Sequence, residues 1–174
     1  PQSLAVTDVD NDKRPDVLVA RATGSGALTL ISANSAGLVS ASLINGSIGD
    51  TPYGLAVGDF DSDGMVDAAV ANFLGGNVTA LFGSSFVTKT SFGDGARPIA
   101  LAVGDVNSDG RPDVLTANQV GNSVGVNLNQ GNRMFAVRTD YAAGAAPGAL
   151  LLAATDGARP SRLVTGKQAR RFHD

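Results

Sequence analysis

The octapeptide Pro52-Tyr53-Gly54-Leu55-Ala56-Val57-Gly58-Asp59 has gapless counterparts at Pro1–Asp8 and Pro98–Asp105, and a fourth copy begins at Pro147. Tandem repetition constrains the fold more than local propensity does. Each copy must form the same supersecondary unit and bury its apolar face on a neighbouring copy. The units run over residues 1–51, 52–97, 98–146 and 147–174, which together make one repeat domain. A period of about 50 residues belongs to propeller blades and solenoids.

Within a unit the apolar spacing predicts short strands and no capped amphipathic helix. In the second unit these are Leu55–Val57, a continuous apolar run Ala68–Ala71, and two alternating stretches, Asn77–Phe82 and Phe86–Phe92. The third unit repeats them as Asp113–Ala117, Ser123–Leu128 and Met134–Tyr141, and the first as Asp16–Ala20, Ala27–Ile31 and Leu38–Ile44. The reading is an all-β chain of four-stranded antiparallel blades of the β-propeller type, three complete plus a partial fourth. Apolar residues make up 43% of the chain but aromatics only 5%, and the 22 glycines add to a stock of small side chains suited to closely stacked sheets.

Acidity is concentrated where the first two strands of a unit meet. The chain has no glutamate; all 16 acidic residues are aspartates, and eleven of them fall in three loops. Asp59, Asp61, Asp63 and Asp67 occupy the first, third, fifth and ninth positions of one loop. Asp8, Asp10, Asp12 and Asp16 repeat the spacing upstream, and Asp105, Asn107, Asp109 and Asp113 downstream. Carboxylates so crowded repel one another unless a hard cation sits among them, and an oxygen-only donor set suits Ca2+. The backbone oxygens of Arg14, Met65 and Arg111, at the seventh position, complete the expected ligand sets. An EF-hand is excluded, since Val19, Val70 and Thr116 stand where its twelfth-position glutamate belongs. In the fourth unit Ala154, Asp156, Ala158 and Arg162 replace the ligands, so that loop is expected to bind no metal.

These residues resemble the FG-GAP repeat, also catalogued among VCBS-like repeats, which builds the β-propeller of integrin α subunits and of many bacterial secreted proteins. The name-giving words survive in degenerate form as Phe92-Gly93-Asp94-Gly95-Ala96-Arg97-Pro98 and Tyr141-Ala142-Ala143-Gly144-Ala145-Ala146-Pro147. The family's calcium motif, Asp-x-Asp/Asn-x-Asp-Gly-x-x-Asp, is met in full by the second and third loops. The first departs from it at Lys13, which stands in the glycine position and calls for a positive φ or a reshaped turn; this ranks it below the other two. The resemblance implies a secreted or cell-surface module in which structural calcium supports adhesion or protein recognition. The alternatives it leaves open are a calcium-dependent lectin and a fragment of a secreted polysaccharide-active enzyme.

Other chemistry finds little support. The lone histidine, His173, lies beside the C-terminus and has no second histidine to assist it, so no catalytic residue is assigned. Nucleic-acid binding would rest on Arg159, Arg162, Lys167, Arg170 and Arg171, with no interleaved aromatic platform beyond Phe172. Glycan stacking has only Tyr53 and Tyr141 and no tryptophan, although Asn72, Asn77, Asn118, Asn122, Asn127 and Asn129 offer polar contacts. Three divalent ions would reverse the formal charge of -3, so acidity is no guide to partners. No apolar run approaches a membrane span and no leader is expected in the chain. Closed propellers usually have about 4–8 blades, which leaves a piece of a longer ring, a ring completed by self-association, or an open array.

Overall fold

The computed structural model describes residues 1–22, 25–45, 48–93, 96–153 and 162–167, and holds sixteen strands and no helix among them. Blade one comprises β1 (Ser3–Thr7), β2 (Asp16–Arg21), β3 (Ala27–Asn34) and β4 (Gly37–Asn45). Blade two comprises β5 (Pro52–Gly58), β6 (Asp67–Asn72), β7 (Asn77–Phe82) and β8 (Thr88–Phe92). Blade three is built from β9 (Pro98–Gly104), β10 (Asp113–Asn118), β11 (Ser123–Asn127) and β14 (Thr139–Ala142). A small hairpin, β12 (Asn129–Gly131) with β13 (Met134–Phe135), is inserted before its last strand. β15 (Pro147–Ala153) pairs with β16 (Arg162–Lys167) as the start of a fourth blade. Each four-stranded sheet is an antiparallel meander, and none closes on itself.

The register explains why the loops recur. Thr7 pairs with Asp16, Gly58 with Asp67 and Gly104 with Asp113, so the ninth loop residue always opens the second strand opposite the residue that closes the first. Ala153 pairs with Arg162 in the same register, although this loop lacks the ligand pattern. Ala154, Asp156, Ala158 and the tail with His173 lie outside the described residues, as do Asp94 and Gly95 of the degenerate signature.

The first strands of blades two and three each pack on the sheet before them. Leu55 and Val57 of β5 join Leu18, Ala20 and Leu28 of blade one in a core with Ile48, Val70, Leu81 and Phe86. Leu101 and Val103 of β9 meet Val78, Ala80 and Phe82 of blade two in a second core with Phe60 and Val114. β6, buried along its whole length, lies between them, with Ala68 and Val70 facing one core and Ala69 the other. A fully buried Phe or Leu side chain here contributes about 1.5–3 kcal/mol. Small side chains set the spacing: a Cβ added to Gly54 would lie 3.1 Å from the Ala100 Cα on β9. The corresponding β1 residues, Leu4 and Val6, remain 64% and 58% exposed.

Two predicted strands are corrected. Phe86–Phe92 begins only at Thr88: Phe86 turns into the left-handed region at φ 51° and is fully buried in the core between blades one and two. Met134–Tyr141 is interrupted, because Phe135 leaves its own sheet to pack against blade two. Residues 136–138 then cross over to β14, with Asn127 Nδ2 donating to the Ala136 carbonyl at 3.1 Å.

Candidate metal centres

All three acidic loops fold to one hydrogen-bond plan. The first-position aspartate accepts from the fifth and sixth backbone amides. Asp59 Oδ1 and Oδ2 take Asp63 N (3.2 Å) and Gly64 N (3.0 Å), and Asp105 takes Asp109 N (3.1 Å) and Gly110 N (2.9 Å). Asp8 does the same with Asp12 N (3.1 Å) and Lys13 N (2.7 Å). The fifth-position aspartate then caps the seventh amide, with Arg14 N, Met65 N and Arg111 N donating to Asp12, Asp63 and Asp109 at 2.8, 2.8 and 2.9 Å. Sixth-position φ is 68° at Lys13, 83° at Gly64 and 88° at Gly110. Lysine therefore adopts the conformation glycine takes in the other loops, at the steric cost expected of a left-handed side-chain residue.

The ninth aspartate does more than its spacing suggested. Asp16, Asp67 and Asp113 are essentially fully buried. One oxygen of each accepts the second loop amide (Val9, Phe60, Val106 at 3.0, 2.7 and 2.9 Å). The other accepts an amide from just beyond, or at the end of, the third strand (Ala33, Gly83, Asn129 at 2.8, 2.7 and 2.8 Å). Each carboxylate is a staple joining the loop to a third strand, a contact visible only once that strand is placed. Burial pushes the Asp67 carboxyl up to about 6 against the opposing pull of these amides, and raises Asp113 for the same reason. The exposed Asp109 goes the other way, lowered by the Arg111 amide and by Asn107.

The fold brings the first, third and ninth carboxylates together. Ligand atoms of Asp59, Asp61 and Asp67 lie within 4.8 Å of one another, as do those of Asp8, Asp10 and Asp16. Asp12 and Asp63 stand outside these groups. The third loop has Asn107 at the third position, its amide nitrogen 2.9 Å from Asp109 Oδ2. The donor set passes one test of fit to a cation at the second loop. The Asp61 side chain is only 9% exposed, and its Oδ1 is buried with no hydrogen-bond partner. Leaving a buried carboxylate oxygen without a donor is costly, and a cation shared with Asp59 and Asp67 would satisfy it. Asp61 Oδ2 is already held by Arg133 Nε at 2.7 Å, a contact no loop spacing could announce.

Residues 8–70 match the FG-GAP-like repeat and residues 98–132 the FG-GAP repeat, so all three acidic loops fall inside matched segments. The chain is an FG-GAP repeat protein. No curated protein matches it. FG-GAP repeats form β-propeller-type recognition modules, and here two of the three loops carry groups of aspartates able to hold a metal ion. No helix among the described residues is long and apolar enough to cross a membrane.

The asparagines considered for a sugar site are largely committed to the fold. Asn72, Asn118, Asn127 and Asn129 are buried. Asn72 Nδ2 donates to Asn77 Oδ1 and Thr79 Oγ1 at 3.0 Å each, and Asn118 Nδ2 to Ser123 Oγ and Asp140 Oδ1 at 3.2 Å each.

Proposed function

We propose that this FG-GAP chain is a calcium-stabilised recognition module that works outside the cell and binds a protein partner. The observation carrying the calcium reading is the buried, unpartnered Asp61 Oδ1 beside Asp59 and Asp67. Asp8, Asp10, Asp12 and Asp16 form the equivalent ligand set in the first loop, and Asp105, Asn107, Asp109 and Asp113 in the third. The carbonyls of Arg14, Met65 and Arg111 add the backbone oxygens. Oxygen donors alone favour Ca2+ over softer metals, and extracellular modules are matched to calcium at roughly 0.1–1 mM. The ion's role is structural: it neutralises carboxylates that the loop amides and third-strand amides already hold in place.

Recognition belongs at the end of the blades opposite the acidic loops. There Leu74 and Val120 sit at corresponding turns between second and third strands, 54% and 58% exposed, and Tyr53 is 42% exposed. Tyr53 lies 5.4 Å from the Phe73 ring, over which the Arg97 guanidinium sits at 5.3 Å. An aromatic, apolar and cationic cluster of this kind is typical of protein-binding surfaces. Thermal unfolding with calcium and then with chelator tests the metal reading. A higher midpoint in calcium is expected because the ion binds the folded chain; identical midpoints overturn it.

A further inference from the structure

Among the described residues, each acidic loop has a guanidinium against one of its aspartates, but the second loop obtains its own differently. In loops one and three the arginine is local: Arg14 Nη1 lies 3.1 Å from Asp12 Oδ2, and Arg111 Nη2 lies 2.6 Å from Asp109 Oδ2. Both contacts fall on the fifth-position aspartate, which in loop one stands outside the three-carboxylate group. Loop two has Met65 at the seventh position, and its guanidinium comes from Arg133, 72 residues away at the tip of the β12–β13 hairpin of blade three. Arg133 contacts Asp61, a member of the ligand group, and takes Oδ2 while Oδ1 is left without a donor.

The hairpin is anchored on the same loop at two further points. Asn129 Nδ2 donates to the Phe60 carbonyl at 2.8 Å, and the Phe135 ring meets Phe60 edge-on at 5.8 Å while stacking on Phe92 at 4.2 Å. Arg133 also lies over the Phe82 ring at 5.2 Å. Its other side holds loop three, through Arg111 Nε to the Asn129 carbonyl (2.9 Å) and Asn129 N to Asp113 Oδ1 (2.8 Å).

We infer that Arg133 is a positioning residue for the second metal loop, supplied by the next blade, so that cation binding at Asp59, Asp61 and Asp67 and docking of β12–β13 on blade two are coupled. This rests on the calcium reading above. By fixing Oδ2, the guanidinium holds the ring of ligands in a binding geometry, the role that outer partners of metal-ligating carboxylates play. Linkage makes the effect reciprocal: the ion tightens the hairpin as the hairpin tightens the ion.

A calcium titration followed by amide NMR resolves the loops, with Gly64 reporting on loop two and Gly110 on loop three. Arg133→Gln is expected to raise the calcium midpoint at Gly64 about tenfold and leave Gly110 within twofold. Arg133→Lys, which keeps the charge, should fall between it and the parent, and it carries the test if the glutamine variant does not fold. In the unmodified chain, calcium should slow hydrogen exchange at the Gly131 amide, and Asp59→Ala should remove that slowing. A Gly64 midpoint that is unchanged or tighter in Arg133→Gln overturns the inference while leaving the calcium reading intact. A Gly64 signal indifferent to calcium in the unmodified chain overturns both.

Discussion

Replacing Asp67 by alanine separates the staple from the ligand. The Asp67 carboxylate is buried and accepts two short backbone hydrogen bonds, from Phe60 and Gly83, each at 2.7 Å. Alanine leaves the buried Phe60 amide and the half-buried Gly83 amide without an acceptor, at up to about 1–3 kcal/mol each. Removing the buried charge returns part of that, since burial holds this carboxyl up near 6. A net loss of about 2–4 kcal/mol follows, or roughly 5–15 °C in melting midpoint at 2–4 °C per kcal/mol for a chain of this size. This loss must appear in chelator, where no ligand role can contribute. Asp63→Ala provides the contrast: Asp63 is exposed and caps one amide, Met65 N, so its removal should cost within about 0.5 kcal/mol in chelator. Its effect should emerge only as a smaller calcium-dependent gain. Differential scanning calorimetry of both variants, with calcium and with chelator, is the assay. If Asp67→Ala melted within 2 °C of the parent in chelator, the staple argument would be wrong.

The raised Asp67 carboxyl also sets a pH dependence, and its sign is unusual for an aspartate. Between about pH 6 and the ordinary carboxylate range near 4 the folded chain binds the proton first, so in chelator stability should rise as pH falls through that window, with Asp113 acting in the same direction. With saturating calcium, which favours the carboxylate, the same acidification should lower the midpoint; a chelated chain that lost stability from pH 7 to 5 would contradict the assignment. Phe135→Ala removes a half-buried ring stacked on Phe92 and edge-on to Phe60, and should cost about 2–3 kcal/mol, less than the 3–5 of a fully buried phenylalanine. A loss below 1 kcal/mol by denaturant titration would show that the hairpin does not hold blades two and three together.

What was legible in the sequence is what repeats locally. Alternation placed β7 at Asn77–Phe82 to the residue, and the aspartate spacing located the three loops and their shared strand register. Lys13 shows the limit from the other side: its positive φ was inferable from the glycines aligned with it, and the loop amides close on Asp8 as they do on Asp59. The features that escaped depend on distance. Phe86 looks like one member of an alternating strand until the core of the preceding blade claims its ring. Met134 to Tyr141 reads as one strand because nothing local says that Phe135 has a partner in Phe92, across a blade boundary. Arg133 has no motif at all, since its meaning lies in a loop 72 residues upstream.

The blade interface has a direction. Leucine and valine on a first strand press against the sheet of the blade before it, at Leu55 and Val57 and again at Leu101 and Val103. One unit therefore contains both halves of the contact, the pair that presses and the face that receives. A stretch of DNA encoding one repeat, copied in tandem, would inherit a matched joint at each new boundary without inventing a surface. Contacts such as Arg133 on Asp61, which the described residues show only between blades two and three, give that boundary an identity of its own.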